Sequence, residues 1–248
     1  LHSLVAIMEA ADRSALARRL ADDSDLRERL LVVLGTSRAL GEFWARHPEF
    51  IDDLARSQLS DQPRTEVEYR TWLSQADDPD ELRVTYYRAL AQIAARDLNA
   101  YTTFEQSSQE LSDLAVATLG AAHQLAARQE ADAELVKLSV IAMGKTGGHE
   151  LNYISDVDVI FVHETVDGAD DDKAYKAATR MASAIIKICG DHTAVGTIWE
   201  VDPNLRPEGR QGPLTRTLNS HIAYYDRWAA TWEFQALLKA RYGAGDRD

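Results

Sequence analysis

Val136-Lys137-Leu138-Ser139-Val140-Ile141-Ala142-Met143, followed at once by Gly144-Lys145-Thr146-Gly147-Gly148-His149-Glu150, is where the chain changes character. The first eight residues are largely β-branched and apolar and stop at a glycine, which predicts a buried strand. Val157–Val162 predicts a second strand and Thr197–Val201 a third, with a helix over Lys173–Cys189 between them and a final helix over His221–Arg241. Upstream, the text is helical. Leu4, Ile7, Met8 and Ala11 recur at i, i+3, i+4 and i+7. A second helix begins at Asp25-Leu26 and is expected to stop at Gly35; Ser37 caps a third that runs to His47-Pro48. A turn-rich interval at Asp61-Gln62-Pro63 precedes a helix over Val67–Leu73. Asp77-Asp78-Pro79-Asp80 starts a long helix, with proline early and acids at its positive end. Another follows along Leu111, Leu114, Ala115, Ala122 and Leu125, before the polar stretch Arg128–Glu134. The class predicted is α+β: a helical region over 1–130, a small α/β core with a mixed sheet over 131–218, and a C-terminal helical segment over 219–248.

The chain has 248 residues, with 27 Lys and Arg against 40 Asp and Glu, for a formal net charge of −13. That balance argues against nucleic acid or an anionic membrane as partner, since both select basic faces. It leaves room for a small basic pocket. No apolar run approaches the roughly 18–20 residues that span a bilayer. Cys189 is the single cysteine, so no intramolecular disulfide is possible and a reducing cytoplasm is the simplest setting. The chain opens on Leu1 rather than Met and carries no positively charged leader, so a piece cut from a longer polypeptide is expected, with no signal peptide.

The residues that carry chemistry fall between 143 and 214. Paired glycines let a backbone approach a ligand and aim N–H groups at it, although a plain strand-to-helix turn accounts for them equally well. Gly144-Lys145-Thr146 is not a Walker A loop, because Ser139 stands where that motif needs its first glycine. Asp156-Val157-Asp158 opens the second strand, and alternation puts both carboxylates on one side. Two such carboxylates repel unless a cation sits between them; the other reading is a solvated acidic strand end. Asp202 ends the third strand and joins the pair if that strand lies beside the second. Three carboxylates can hold two Mg²⁺ about 3.5–4 Å apart, which suits in-line phosphoryl displacement. Arg206 and Arg210 would then face phosphate oxygens, or else form ordinary ion pairs.

The run Gly147 to Asp158 resembles the nucleotidyltransferase signature of the DNA polymerase β superfamily. More narrowly, Met143-Gly144-Lys145, Glu150-Leu151-Asn152-Tyr153 and Asp158-Val159-Ile160-Phe161 resemble the bifunctional glutamine synthetase adenylyltransferase/adenylyl-removing enzymes. So do Val201-Asp202, Leu205-Arg206-Pro207, Gly212-Pro213-Leu214, Trp232–Arg241 and the lead-in over Gly35–Pro48. Those enzymes carry two nucleotidyltransferase halves, and this sequence holds one copy of the signatures. Arg206-Pro207-Glu208-Gly209-Arg210-Gln211-Gly212-Pro213-Leu214 resembles the N-terminal, adenylyl-removing version.

The resemblance implies phosphorolysis of adenylyl-tyrosine on glutamine synthetase, giving ADP. Asp156, Asp158 and Asp202 would be catalytic and hold Mg²⁺, two ions being expected. Gly147 and Gly148 amides, Ser155, Arg206 and Arg210 would meet the nucleotide or phosphate, and Ser155 and Asn152 would orient the carboxylates. A PII-type signalling protein is a further expected partner. Pro203-Asn204 replaces an arginine-containing pair, and Thr146 and His149 also vary. Adenylyl transfer from ATP, or a non-catalytic binding module, remain as alternatives. Outside this set, His149, His163 and His192 are expected on loop or helix surfaces, Trp228, Trp232 and Phe234 in a core, and Cys189 packed in its helix. The acids Asp167, Asp170, Asp171 and Asp172 are expected in a solvated turn and helix start.

Overall fold

The computed structural model describes residues 2–55, 59 and 62–247. Asp61, in the expected turn before the fifth helix, lies outside the described residues. The helical part runs α1 (His2–Ala10), α2 (Arg13–Asp22), α3 (Ser24–Thr36), α4 (Arg38–Arg46), a 3₁₀ turn over Pro48–Leu54, α5 (Glu66–Leu73), α6 (Pro79–Leu98) and α7 (Phe104–Gln129). Local chemistry sets these boundaries. Asp12, Asp23, Ser37 and Asp78 each accept backbone N–H bonds at a helix start, supplying partners for donors that the helix itself leaves open. Gly35 does not stop α3, which ends one residue later where Ser37 turns extended to cap α4. Helix α2 escapes sequence reading because Leu16 is its one buried residue, too little for an apolar stripe.

The α/β part runs β1 (Val136–Ala142), α8 (Gly144–Gly147), β2 (Val157–Thr165), α9 (Asp171–Gly190), β3 (Val201–Asp202), β4 (Thr215–Thr217), α10 (Leu218–Arg227), α11 (Thr231–Leu237) and β5 (Arg241–Gly245). The sheet is mixed, in the order β3-β2-β1-β5, with β4 also on β2. β1 is antiparallel to β2 and β5, whereas β2 is parallel to β3 and β4. Alternation gives the sheet two unlike faces. Val136, Leu138 and Val140 of β1 and Val157, Val159 and Phe161 of β2 pack with Leu114 and Leu125 of α7 and Ala177, Met181 and Ile185 of α9. Burial of each larger side chain there contributes about 1.5–3 kcal/mol. The other face carries Ile141, Asp158 and Val162, all only half-buried. A second interior gathers Ile7, Leu26, Leu30, Phe43 and Trp44 around Ala91, Ala94 and Ala95 of α6, so α6 serves both interiors.

Four expectations are corrected. The strand expected over Thr197–Val201 is reduced to Val201–Asp202, because the preceding segment is tied to helices instead: Ile198 N–H donates to Cys189 O and the Tyr87 hydroxyl to Thr197 O. The helix expected over His221–Arg241 is α10, α11 and a strand. Glu233 makes the break, accepting from Ala230 N at 2.7 Å and from the Tyr224 hydroxyl at 2.9 Å. Trp228, Trp232 and Phe234 are not core residues; they are exposed, as are Leu218, Ile222 and Leu238 beside them in sequence. His163 also departs from expectation, buried on β2 against the Tyr175 ring, while His192 lies on an exposed loop as expected. Among the described residues, no helix is long and apolar enough to cross a membrane.

Candidate active site

Asp158 and Asp202 are register partners on the parallel strands β2 and β3, so their side chains leave the same face. Asp156 stands two residues before Asp158, just ahead of β2. One carboxylate oxygen from each of Asp156, Asp158 and Asp202 lies within 4.8 Å of the others, and none of the three is ion-paired to a lysine or arginine among the described residues. Burial, then Asp156 and then Asp202, raise the Asp158 pKa, with Lys145 opposing them. The Asp202 carboxylate accepts from Asn204 N at 2.7 Å, which fixes its rotamer.

The strand-to-helix turn is built around Asp158. Met143 N–H donates to Asp158 O at 2.9 Å, and Gly144 follows at φ +52°. A Cβ at Gly144 would sit 2.2 Å from Asp158 Oδ2, so glycine there meets both a left-handed backbone and a close approach. Gly147 and Gly148 have a different reason. Their N–H groups donate to Met143 O and Gly144 O, inside the turn, and are already occupied. A Cβ on Gly147 would lie 1.9 Å from Lys239 O, so this glycine admits the segment between α11 and β5. Lys239 in turn pairs with Glu150 at 2.5 Å.

Ser155 Oγ lies 3.5 Å from Asp156 Oδ1, and Asn152 is exposed. Arg206 turns into its own loop: Nε donates to Gly212 O and Pro213 O, Nη1 to Pro203 O, and Nη2 to Gly212 O. It braces the 203–213 loop beside Asp202, with burial lowering its pKa. Arg210 is exposed. Sequence reasoning assigned no role to Lys145, the cation that acts on Asp158. Its place directly after Gly144 was the available signal.

On the helical side of this turn, His149 at φ +58° brings Nδ1 to 3.5 Å from Asp113 Oδ1 on α7. They border a cavity of about 510 Å³ between the start of α5, α7 and the turn, also lined by Arg64, Glu66 and Gln106. Burial, with Glu66 and Glu110 nearby and only partly offset by Arg241 and Arg70, pushes the Asp113 carboxyl up to about 6. The folded chain therefore keeps this proton between about pH 4 and 6 where the unfolded chain has released it, and stability falls as pH rises through that window. Asp113→Asn should gain on the order of 2 kcal/mol at pH 7 and little at pH 4. Urea unfolding of both chains at the two pH values checks this; equal gains at both would refute the assignment.

The family model for glutamate-ammonia ligase adenylyltransferase (GlnE) matches residues 27–248. The chain belongs to the glutamate-ammonia ligase adenylyltransferase family. It is 55% identical over 249 aligned positions to the bifunctional glutamine synthetase adenylyltransferase/adenylyl-removing enzyme of Streptomyces avermitilis, covering 98% of this chain and 25% of that protein. The corresponding Streptomyces coelicolor protein is 52% identical, covering 99% and 25%, and that of Mycolicibacterium smegmatis 42% identical, covering 98% and 26%. The chain thus spans about a quarter of the length of these adenylyltransferase-family relatives.

Proposed function

We propose that this chain removes AMP from an adenylylated tyrosine of glutamine synthetase by phosphorolysis, releasing ADP, in a cytoplasmic setting. The observation that carries the proposal is the convergence of Asp156, Asp158 and Asp202 within 4.8 Å, without an ion-paired cation among them. Three clustered carboxylates with a raised pKa at the central one fit divalent cations, and oxygen-only donors suit Mg²⁺. Bound there, Mg²⁺ would neutralise charge on the transferring phosphoryl group and orient the incoming phosphate.

This chain's own residues would do the rest. Asp202, held by Asn204 N–H, and Asp158, admitted close to the backbone by Gly144, present their oxygens to the same side. Lys145 would add positive charge where phosphate oxygens arrive, and exposed Arg210 is free to meet a substrate. A tyrosyl oxygen, with an ordinary pKa of about 10, leaves without much acid assistance, so no histidine need act as an acid. The direction rests on the sequence of the 206–214 loop. ATP-dependent addition of AMP uses the same carboxylates and is the competing outcome. A PII-type signalling protein would be a further partner.

The test is ADP release from adenylylated glutamine synthetase, with Mg²⁺ and inorganic phosphate. An Asp156→Asn/Asp158→Asn double variant runs alongside. Phosphate-dependent ADP that the variant fails to make is expected. ATP-dependent labelling of unmodified glutamine synthetase, with no ADP released, reverses the direction; silence in both favours a binding module.

A further inference from the structure

We infer that Tyr153 is a positioning residue, fastening the segment that carries Asp156 to the helical part of the chain. Asp158 and Asp202 stand on paired strands, but Asp156 precedes β2 in irregular backbone. That segment is pinned at one end where Leu151, itself buried, donates its N–H to Ser112 Oγ of α7 at 3.1 Å. The other end is pinned where Val157 N–H donates to Glu200 O at 2.9 Å. Between them, among the described residues, the hydrogen bond that leaves the segment is from the Tyr153 hydroxyl to Asp97 Oδ2, at 2.8 Å. The contact of Ser155 Oγ with Asp156 is internal and travels with the segment.

Asp97 is itself built in. Its Oδ1 accepts from Ser107 Oγ at 2.9 Å, and Ser107 Oγ lies 2.9 Å from Thr102 Oγ1. Asp97 is on the last turn of α6 and Ser107 on the first turn of α7, so the tyrosine is tied to the corner where the two longest helices of this region meet. Backbone left free to wander must be ordered again at an entropic cost, and a metal-ligating carboxylate must be held to about half an ångström. Partners that orient metal ligands typically cost 10–100-fold in metal affinity when removed. The helical region therefore sets the place of one carboxylate of the trio as well as packing against the sheet.

Because this rests on the metal assignment above, the test reads binding and backbone motion rather than turnover. Mn²⁺ affinity would be measured by electron paramagnetic resonance for the wild-type chain, Asp156→Asn, Tyr153→Phe and Asp97→Asn, with amide hydrogen exchange over 152–156 in the metal-free chains. Tyr153→Phe keeps the ring and should lower Mn²⁺ affinity about 10–100-fold and speed exchange, with the melting temperature nearly unchanged. Asp97→Asn retains an acceptor oxygen and should keep most of the affinity. Unchanged affinity and exchange in Tyr153→Phe would overturn the inference. If the wild-type chain binds no Mn²⁺, or Asp156→Asn binds it equally, the metal assignment fails separately. Exchange over 152–156 then decides the role of Tyr153 alone, faster exchange supporting it and unchanged exchange overturning it.

Discussion

Asp158→Asn is expected to abolish activity while making the metal-free chain harder to melt. A divalent cation in such a site supplies several kcal/mol to the transition state, and at 1.36 kcal/mol per tenfold its loss is about a thousandfold in rate. The stability change has the opposite sign. Burial, Asp156 and Asp202 all raise the Asp158 pKa, so at neutral pH the ionised carboxylate is held there at a cost. Asparagine keeps the shape and removes the charge. Thermal unfolding with and without Mg²⁺ separates the two effects: the wild-type chain should gain a metal-dependent rise in Tm, whereas the variant should start higher and gain nothing. A variant that melts lower without metal would mean that Asp158 is chiefly a structural acceptor. Sites that spend stability in this way are expected where function demands like charges together.

Glu110→Ala should be the most destabilising single change in the helical region. Glu110 and Arg96 are ion-paired with both side chains 1% exposed. The same Glu110 oxygen accepts from the Tyr69 hydroxyl at 2.6 Å and from Arg64 N at 2.7 Å. Truncation would leave Arg96 buried without its counter-charge, which typically costs 3–5 kcal/mol, or about 2–4 °C of Tm per kcal/mol in a chain of this size. Glu110→Gln keeps an acceptor and should lose less. An Arg96→Met/Glu110→Leu pair should recover much of the loss, because the penalty is an unpaired charge rather than a missing attraction. Denaturant midpoints for the four chains decide it. A Glu110→Ala loss below about 1 kcal/mol would show that water reaches Arg96.

The convergence of the trio was legible because the Asp-x-Asp spacing at the head of β2 keeps Asp156 and Asp158 close, although Asp156 lies just ahead of the strand rather than in it, and Asp202 closes a short apolar run. What failed was of another kind. Strand β5 falls within the segment expected to be helical, and its glycines permit its pairing: a Cβ on Gly243 would sit 2.9 Å from Val140 O, and on Gly245, at φ +85°, 2.0 Å from Leu138 O. Arg206 shows that residue type does not fix direction, since a guanidinium satisfied by its own loop has the same one-letter code as one facing a phosphate. Trp228, Trp232 and Phe234 have core-like spacing, but spacing speaks of a helix face and not of what lies against it. The bond between Tyr153 and Asp97 spans 56 positions, beyond any local pattern.

Cys189 is completely buried on α9, and burial pushes its thiol up to about 12. Its thiolate, the reactive form, is therefore scarce at neutral pH as well as out of reach. With no second cysteine in the sequence, the native chain is expected to react little with thiol reagents. Ile154 is 95% exposed and two residues from Asp156. An Ile154→Cys chain would offer a single labelling point beside the carboxylate trio, so a dye or spin probe there could watch a protein substrate arrive with little background to subtract.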